Sequence, residues 1–173
     1  YLDLSADSVV VKVHEPSVPL HRNFTLSFDV SRLSPPERRQ YFIARLDEED
    51  RPQFQRTYRR GDAFTTRSRN LGRYTLARDT VPPRIRPRNF KEKQWLTNYR
   101  YLSLRVSDDL SGIASYSGKL NGRWILMEYE PKTNTLTYNF DDRILNERQC
   151  ELEVEVTDNV GNTTTFQTEF FRR

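Results

Sequence analysis

Ser107-Asp108-Asp109-Leu110-Ser111-Gly112-Ile113 and Val156-Thr157-Asp158-Asn159-Val160-Gly161-Asn162 each close an alternating strand. Leu102, Leu104 and Val106 precede the first loop, and Cys150, Leu152, Val154 and Val156 lead into the second. Apolar residues at every other position are the mark of a strand with one buried face. Two such strands, each ended by an Asp- and Gly-bearing turn, predict one small β-sandwich.

Working outward, the interval from 84 to 170 holds about seven expected strands, near 84–90, 99–107, 113–120, 123–129, 135–140, 149–157 and 163–170. That number, in roughly 100 residues, is the pattern of an immunoglobulin-like sandwich. Asn121-Gly122 is the pair that best tolerates the two positive φ angles of a tight hairpin, and Pro131-Lys132-Thr133-Asn134 makes the next reversal. Trp124, Phe140, Phe166 and Phe170 are the large side chains expected to fill this core. The chain's single cysteine, Cys150, rules out the internal disulfide of antibody domains and reads as a packed thiol.

Asp79-Thr80-Val81-Pro82-Pro83 divides the chain, because two prolines remove two backbone donors and stiffen the connection. Before it, Phe24, Leu26, Phe28 and Val30 alternate with polar residues, and Val9, Val11 and Val13 give a second strand. Further strands are expected at Tyr41–Leu46, Phe54–Tyr58 and Gly72–Ala77, with breaks at Ser34-Pro35-Pro36 and Arg60-Gly61-Asp62 and one helical turn at Glu37–Gln40. The fold class is therefore all-β: two consecutive β-sandwich domains at 1–79 and 84–173, joined by a Pro-rich linker at 80–83. The chain opens at Tyr1 with neither an initiator Met nor a leader, so it reads as a piece of something longer. It contains no apolar run of membrane-spanning length.

A net charge of +4 hides a separation: residues 56–105 carry +11, whereas 1–55 carry −2 and 106–173 carry −5. Arg outnumbers Lys 23 to 5, which favours planar, forked contacts to carboxylates or phosphates. No helix-borne, zinc-module or ribonucleoprotein motif accompanies the basic belt, which argues against nucleic acid. Two readings stay open. The belt meets an anionic cell-envelope polymer, with Arg78, Arg84, Arg86 and Arg88 as contacts and Tyr99, Tyr101 and Trp124 as stacking rings, or it meets acidic parts of its own protein. In the second case Arg100 or Arg105 would face the ladder Glu151, Glu153, Glu155.

Catalytic signals are thin. His14 and His21 lie in no zinc-ligand spacing, and no nucleophile elbow, phosphate loop or paired-cysteine set occurs, so the segment reads as non-catalytic and without a cofactor of its own. Asp79, Asp108, Asp109 and Asp158 would converge where the linker meets the two loops, an oxygen set suited to Ca²⁺. The competing reading has these acids bonding their own turns, with Arg78 and Arg84 as neutralising partners. Arg60-Gly61-Asp62 matches an adhesion tripeptide but reads as a turn, and Asn23-Phe24-Thr25 and Asn162-Thr163-Thr164 match N-glycosylation acceptors.

Leu71-Gly72-Arg73-Tyr74-Thr75-Leu76, Asp79-Thr80-Val81-Pro82-Pro83-Arg84-Ile85 and the 107–113 loop, then Asn121-Gly122-Arg123-Trp124, Leu136-Thr137-Tyr138-Asn139-Phe140-Asp141 and the 156–162 loop, follow in a telling order. Over residues 71–173 this resembles the C-terminal β-rich region of Gram-negative bacterial lysostaphin-type zinc endopeptidases. The resemblance implies a periplasmic or cell-envelope peptidase that cleaves peptidoglycan with one zinc ion. Its zinc ligands would lie in a catalytic domain upstream of Tyr1, and none maps onto this sequence. The expected role is an accessory β-sandwich pair that positions or restricts that upstream domain and contacts peptidoglycan or another anionic polymer. An adhesin-like or carbohydrate-binding surface module without a peptidase is the alternative.

Overall fold

The computed structural model describes residues 9–17, 20–142 and 147–173. The chain divides into two compact units, Tyr1–Thr80 and Val81–Arg173. The first contains β1 (Val11–Val13), β2 (Phe24–Asp29), α1 (Pro35–Gln40), β3 (Tyr41–Leu46), β4 (Pro52–Phe54), β5 (Tyr58–Arg60), β6 (Ala63–Ser68) and β7 (Gly72–Arg78). A sheet of order β1-β7-β3-β4 and a second of order β2-β6-β5 face each other across Phe28, Val30, Tyr41, Ile43, Phe64, Tyr74 and Leu76.

Two expectations for this unit are corrected. The strand expected at Phe54–Tyr58 is instead the crossing between β4 and β5. Its backbone and hydroxyl serve the edge of β3, where Gln55 N donates to Ile43 O and Thr57 Oγ1 accepts from Ile43 N, each at 2.9 Å. β6 was not expected, because its inward positions are Phe64, Thr66 and Ser68, two of them polar. The Ser68 hydroxyl is tolerated because it is bonded: Tyr74 Oη donates to Ser68 Oγ at 2.9 Å inside the core. α1 begins at the two prolines, whose missing donors cost nothing in a first helical turn. Glu37 fixes that end by accepting from Ser34 N and Ser34 Oγ, which holds its carboxyl below the usual range.

The second unit contains β8 (Arg84–Pro87), β9 (Tyr101–Ser107), β10 (Ile113–Leu120), β11 (Arg123–Ile125), β12 (Glu128–Glu130), β13 (Thr135–Asn139), a 3₁₀ turn at Phe140–Asp142, β14 (Gln149–Asp158) and β15 (Thr163–Phe171). Its sheets have the orders β12-β13-β9-β8 and β11-β10-β14-β15. Relabelled A to G, these are D-E-B-A and C′-C-F-G, the connectivity of an immunoglobulin-like sandwich with one added strand. The eighth strand arises because the expected 123–129 strand changes sheets. β11 pairs with β10, the chain turns at Leu126-Met127, and β12 pairs with β13. Asn121 and Gly122 adopt φ 49° and 73°, the tight hairpin expected between β10 and β11.

Leu102, Leu104 and Val106 face Cys150, Leu152, Val154 and Val156 across one buried core, which Phe140 and Phe170 close. Burial pushes the Cys150 thiol up, and Arg172 opposes this only weakly. Trp124 is not part of this core: it is 65% exposed, because Ile125 takes the inward position of β11. Gly118 sits opposite Ile125, and a Cβ there would lie 2.6 Å from Met127 Sδ and 3.1 Å from Ile125 Cγ1. Both neighbours are themselves buried, so the methyl has nowhere to go. Gly118→Val should therefore lower stability by about 2 kcal/mol, read as a fall in calorimetric Tm. Ser117→Val, on the outward pleat, should change it by less than about 0.5 kcal/mol.

Candidate functional site

The two acidic loops occupy one end of the second unit, and their carboxylates hold their own turns. Asp158 is buried, and its Oδ1 accepts from the backbone N of Val160, Gly161 and Asn162 at 2.7–2.9 Å. Its Oδ2 accepts from Asn162 Nδ2 at 2.7 Å. Asp108 Oδ2 accepts from Leu110 N and Gly112 N, and Asn159 Nδ2 donates across to Ser111 O and Gly112 O, which ties the two loops together. Asp108 and Asp158 bring carboxylate oxygens within 4.8 Å of each other. Asp109 points outward to Arg84, with 2.5 Å between Oδ2 and NH2. Asp79 belongs to the first unit, where it is buried at the end of β7 and its N donates to Gln40 O.

Four bonds to Asp158 leave few lone pairs for a cation that takes six to eight oxygens. Asp158→Ala, which removes from a buried position the acceptor of three part-buried backbone N–H groups, should therefore cost about 2 kcal/mol. Asp109→Ala, at an exposed pair, should cost under about 1 kcal/mol. Added Ca²⁺ should leave the Tm of the unaltered chain where it is; a rise would assign the Asp108–Asp158 pair to a metal.

The arginines expected to act together are separated by the sheets. Arg78 lies in the first unit and forks both Nε and NH2 onto Gln40 Oε1, with its guanidinium over the Tyr41 ring. Arg84 is held by Asp109. Arg86 and Arg88 remain, and they meet a residue not named as a polymer contact from the sequence. Arg86 on β8 is the direct cross-strand partner of Arg105 on β9. Arg105 in turn faces Thr135 on β13, whose Oγ1 accepts from Arg88 NH1 at 2.9 Å. Three guanidinium groups thus share the outer face of the β12-β13-β9-β8 sheet, and among the described residues none of them has a carboxylate within ion-pair distance. Tyr101, Ser103, Thr137 and Asn139 continue the same face. Tyr101 is 43% exposed, whereas Tyr99 is half-buried against the core with its Oη accepting from Gln94 Nε2.

Arg105 therefore does not face the glutamate ladder, which lies on the other sheet, and Arg100 is paired with Asp141. The ladder's cation is Lys119. One row perpendicular to the strands reads Trp124 on β11, Lys119 on β10, Glu153 on β14 and Gln167 on β15. Lys119 Nζ donates to Glu153 Oε1 and Gln167 Nε2 donates to Glu153 Oε2, both at 2.9 Å. The Lys119 bond is the main cause that lowers the Glu153 carboxyl and raises the Lys119 ammonium from their ordinary pKa values. Trp124 and Arg86 consequently point to opposite sides of the sandwich and cannot form one site.

Other sequence signals are absorbed locally. Arg60-Gly61-Asp62 is the β5–β6 turn, with Gly61 at φ 54°, and Arg38 NH1 binds both Asp62 Oδ1 at 2.6 Å and Gly61 O. Asn23 Oδ1 accepts from Arg69 Nε, and Asn162 is bonded into the Asp158 turn. His14 and His21 are both exposed.

Residues 3–79 match the family profile of the Zu5-like domain. No curated protein sequence matches the chain. Among solved structures, the chain is similar to the apo expansin of Clavibacter michiganensis, with 15% identity over 62% of this chain and a TM-score of 0.36. It spans 46% of that expansin's length. It is also similar to the fibronectin(III)-like modules of Clostridium thermocellum CbhA, with 13% identity, 95% of this chain and 94% of that chain covered, and a TM-score of 0.42. The tandem Ig repeats of Dlar share 9% identity over 95% of this chain and 97% of that chain, with a TM-score of 0.32.

Proposed function

We propose that this chain is a non-catalytic pair of β-sandwich domains of the cell envelope that holds an anionic wall polymer such as peptidoglycan, and so positions or restricts a peptidase domain in the same protein. One observation carries the binding part: Arg86 stands directly opposite Arg105, with Arg88 beside them, and among the described residues no carboxylate lies within ion-pair distance of the three, the acids of this face, Glu128 and Glu130, standing on β12 at its far edge. Like charges at directly opposed strand positions destabilise a sheet. An added carboxylate or phosphate turns that cost into charge-assisted, forked hydrogen bonds. Ser103, Thr137 and Asn139 supply hydroxyl and amide groups along the same face, and Tyr101 supplies a ring. The ordered likeness of residues 71–173 to the C-terminal region of lysostaphin-type endopeptidases supports the peptidase part, with zinc confined to the catalytic domain.

The reading without a peptidase, a free-standing adhesin-like or carbohydrate-binding surface module, differs in what the coding sequence holds upstream of Tyr1. A His-x-His-bearing domain there supports the positioning role, and further sandwich repeats support the other. Binding is tested by pelleting with purified peptidoglycan sacculi. Arg86→Glu with Arg105→Glu should reduce the pelleted fraction at least about tenfold at low salt, and the unaltered chain should release as ionic strength rises. Equal retention of both forms would remove the arginine-mediated contact.

A further inference from the structure

The outer face of the β11-β10-β14-β15 sheet differs in chemistry from the arginine face, and the difference selects a different ligand. Trp124 offers an exposed indole on the edge strand. Beside it, Lys119, Glu153 and Gln167 are fixed to one another by two 2.9 Å hydrogen bonds. Lys119 and Glu153 neutralise each other and Gln167 is uncharged, so the row carries no net charge while presenting both donors and acceptors. Two ammonium N–H groups, the remaining carboxylate lone pairs and the free Gln167 carbonyl all remain available. Strands lie about 4.8 Å apart, so the row runs for about 14 Å, the reach of a short oligomer and more than one small molecule needs. A shallow depression of about 460 Å³ flanks it, lined by Lys119, Gly122, Glu151, Glu153, Gln167 and Glu169 among others.

The surroundings narrow the ligand further. Glu151 and Glu169 are direct cross-strand partners, and Glu155 lies two residues along β14 on the same face. These acids repel polyanions. They stand on β14 and β15, two and three strands from the indole on β11, so a chain stacked on Trp124 first meets the internally neutralised row of Lys119, Glu153 and Gln167. What remains is a neutral polymer with ring faces of C–H groups and a rim of hydroxyls. We propose that this face binds a neutral pyranose chain, with one sugar stacked on Trp124 and the next ones hydrogen-bonded along Lys119, Glu153 and Gln167.

The chain has two tryptophans, so Trp95→Phe leaves Trp124 as the sole indole reporter. In that background, titration with the β-1,4-linked pentamers of N-acetylglucosamine and of glucose should shift Trp124 emission saturably for at least one of them. In affinity electrophoresis of the otherwise unaltered chain, Trp124→Ala should weaken retention by the matching neutral polymer about tenfold or more, and Gln167→Ala with Glu153→Gln should weaken it with circular dichroism unchanged. Arg86→Glu with Arg105→Glu should leave it intact. The proposal is overturned if neither pentamer shifts the emission, if the arginine variant loses retention equally, or if tetralysine or polygalacturonate shifts the emission in place of the neutral pentamers. Sacculi offer sugar rings as well as carboxylates, so the arginine contact is read there as the loss caused by Arg86→Glu with Arg105→Glu in a Trp124→Ala background, and the sugar contact is read only on the neutral polymers.

Discussion

The period-two pleat, applied to two sheets that share one core, is the constraint from which the surface chemistry of the second unit follows. Leu102, Leu104 and Val106 on β9 and Cys150, Leu152, Val154 and Val156 on β14 take successive inward positions and are all buried. Burial of that kind stabilises each large side chain by about 1.5–3 kcal/mol, and a one-residue slip would turn the whole set outward. The outward residues therefore have no freedom of register of their own. Arg105 stands beside Arg86, and Glu151 beside Glu169, because the core fixes where their strands lie. Two like-charge pairs at matched positions are a local cost that the core overrides.

The ends of those strands need a second device, because a chain reversing at the rim leaves backbone donors pointing inward. Asp158 meets this with a single carboxylate that receives three backbone N–H groups, and Asn159 bridges from its turn to the neighbouring loop. The Asp-x-x-Gly-Asn pattern is therefore a chemical requirement of the turn: the acid accepts, the glycine adopts φ 99° without strain, and Asn162 closes the ring. The same residues that end the strand also lock two loops together, so the pattern reports fold more strongly than ligand.

Fold was legible wherever inward positions were apolar. β2, β9 and β14 follow from alternation alone, and Asn121-Gly122 announced its hairpin. β6 was hidden because its inward Thr66 and Ser68 are buried polar residues, which a hydropathy pattern reads as exposed. The sheet change at Leu126-Met127 was hidden for another reason. Ile125, Met127 and Tyr129 keep perfect alternation through it, since both sheets present them to the same core. Trp124 was misread from its size: pleat phase against Ile125 decides its exposure, and phase was available in the sequence. Cross-strand neighbours were not. Nothing in the chain order of Arg86, Arg105 and Thr135 says that they share a row, so the partner expected for the glutamate ladder is Arg100 or Arg105 when it is Lys119.

Because inward positions belong to the core, each sheet offers ligands only its outer side, and the two outer sides look in opposite directions with a core about 10 Å thick between them. An arginine-rich face and a neutral, indole-edged row on opposite sides cannot both engage one straight segment of polymer. A wall polymer with acidic peptide stems and uncharged sugar rings presents both chemistries at once, but at different places along and across its strands. Under the two proposals made for these faces, the second unit would lie between neighbouring strands, with acidic groups on one side and sugar rings on the other. Orientation would then come from the sandwich itself, since turning the unit over would set Glu151, Glu155 and Glu169 against the carboxylates that Arg86 and Arg105 are placed to receive.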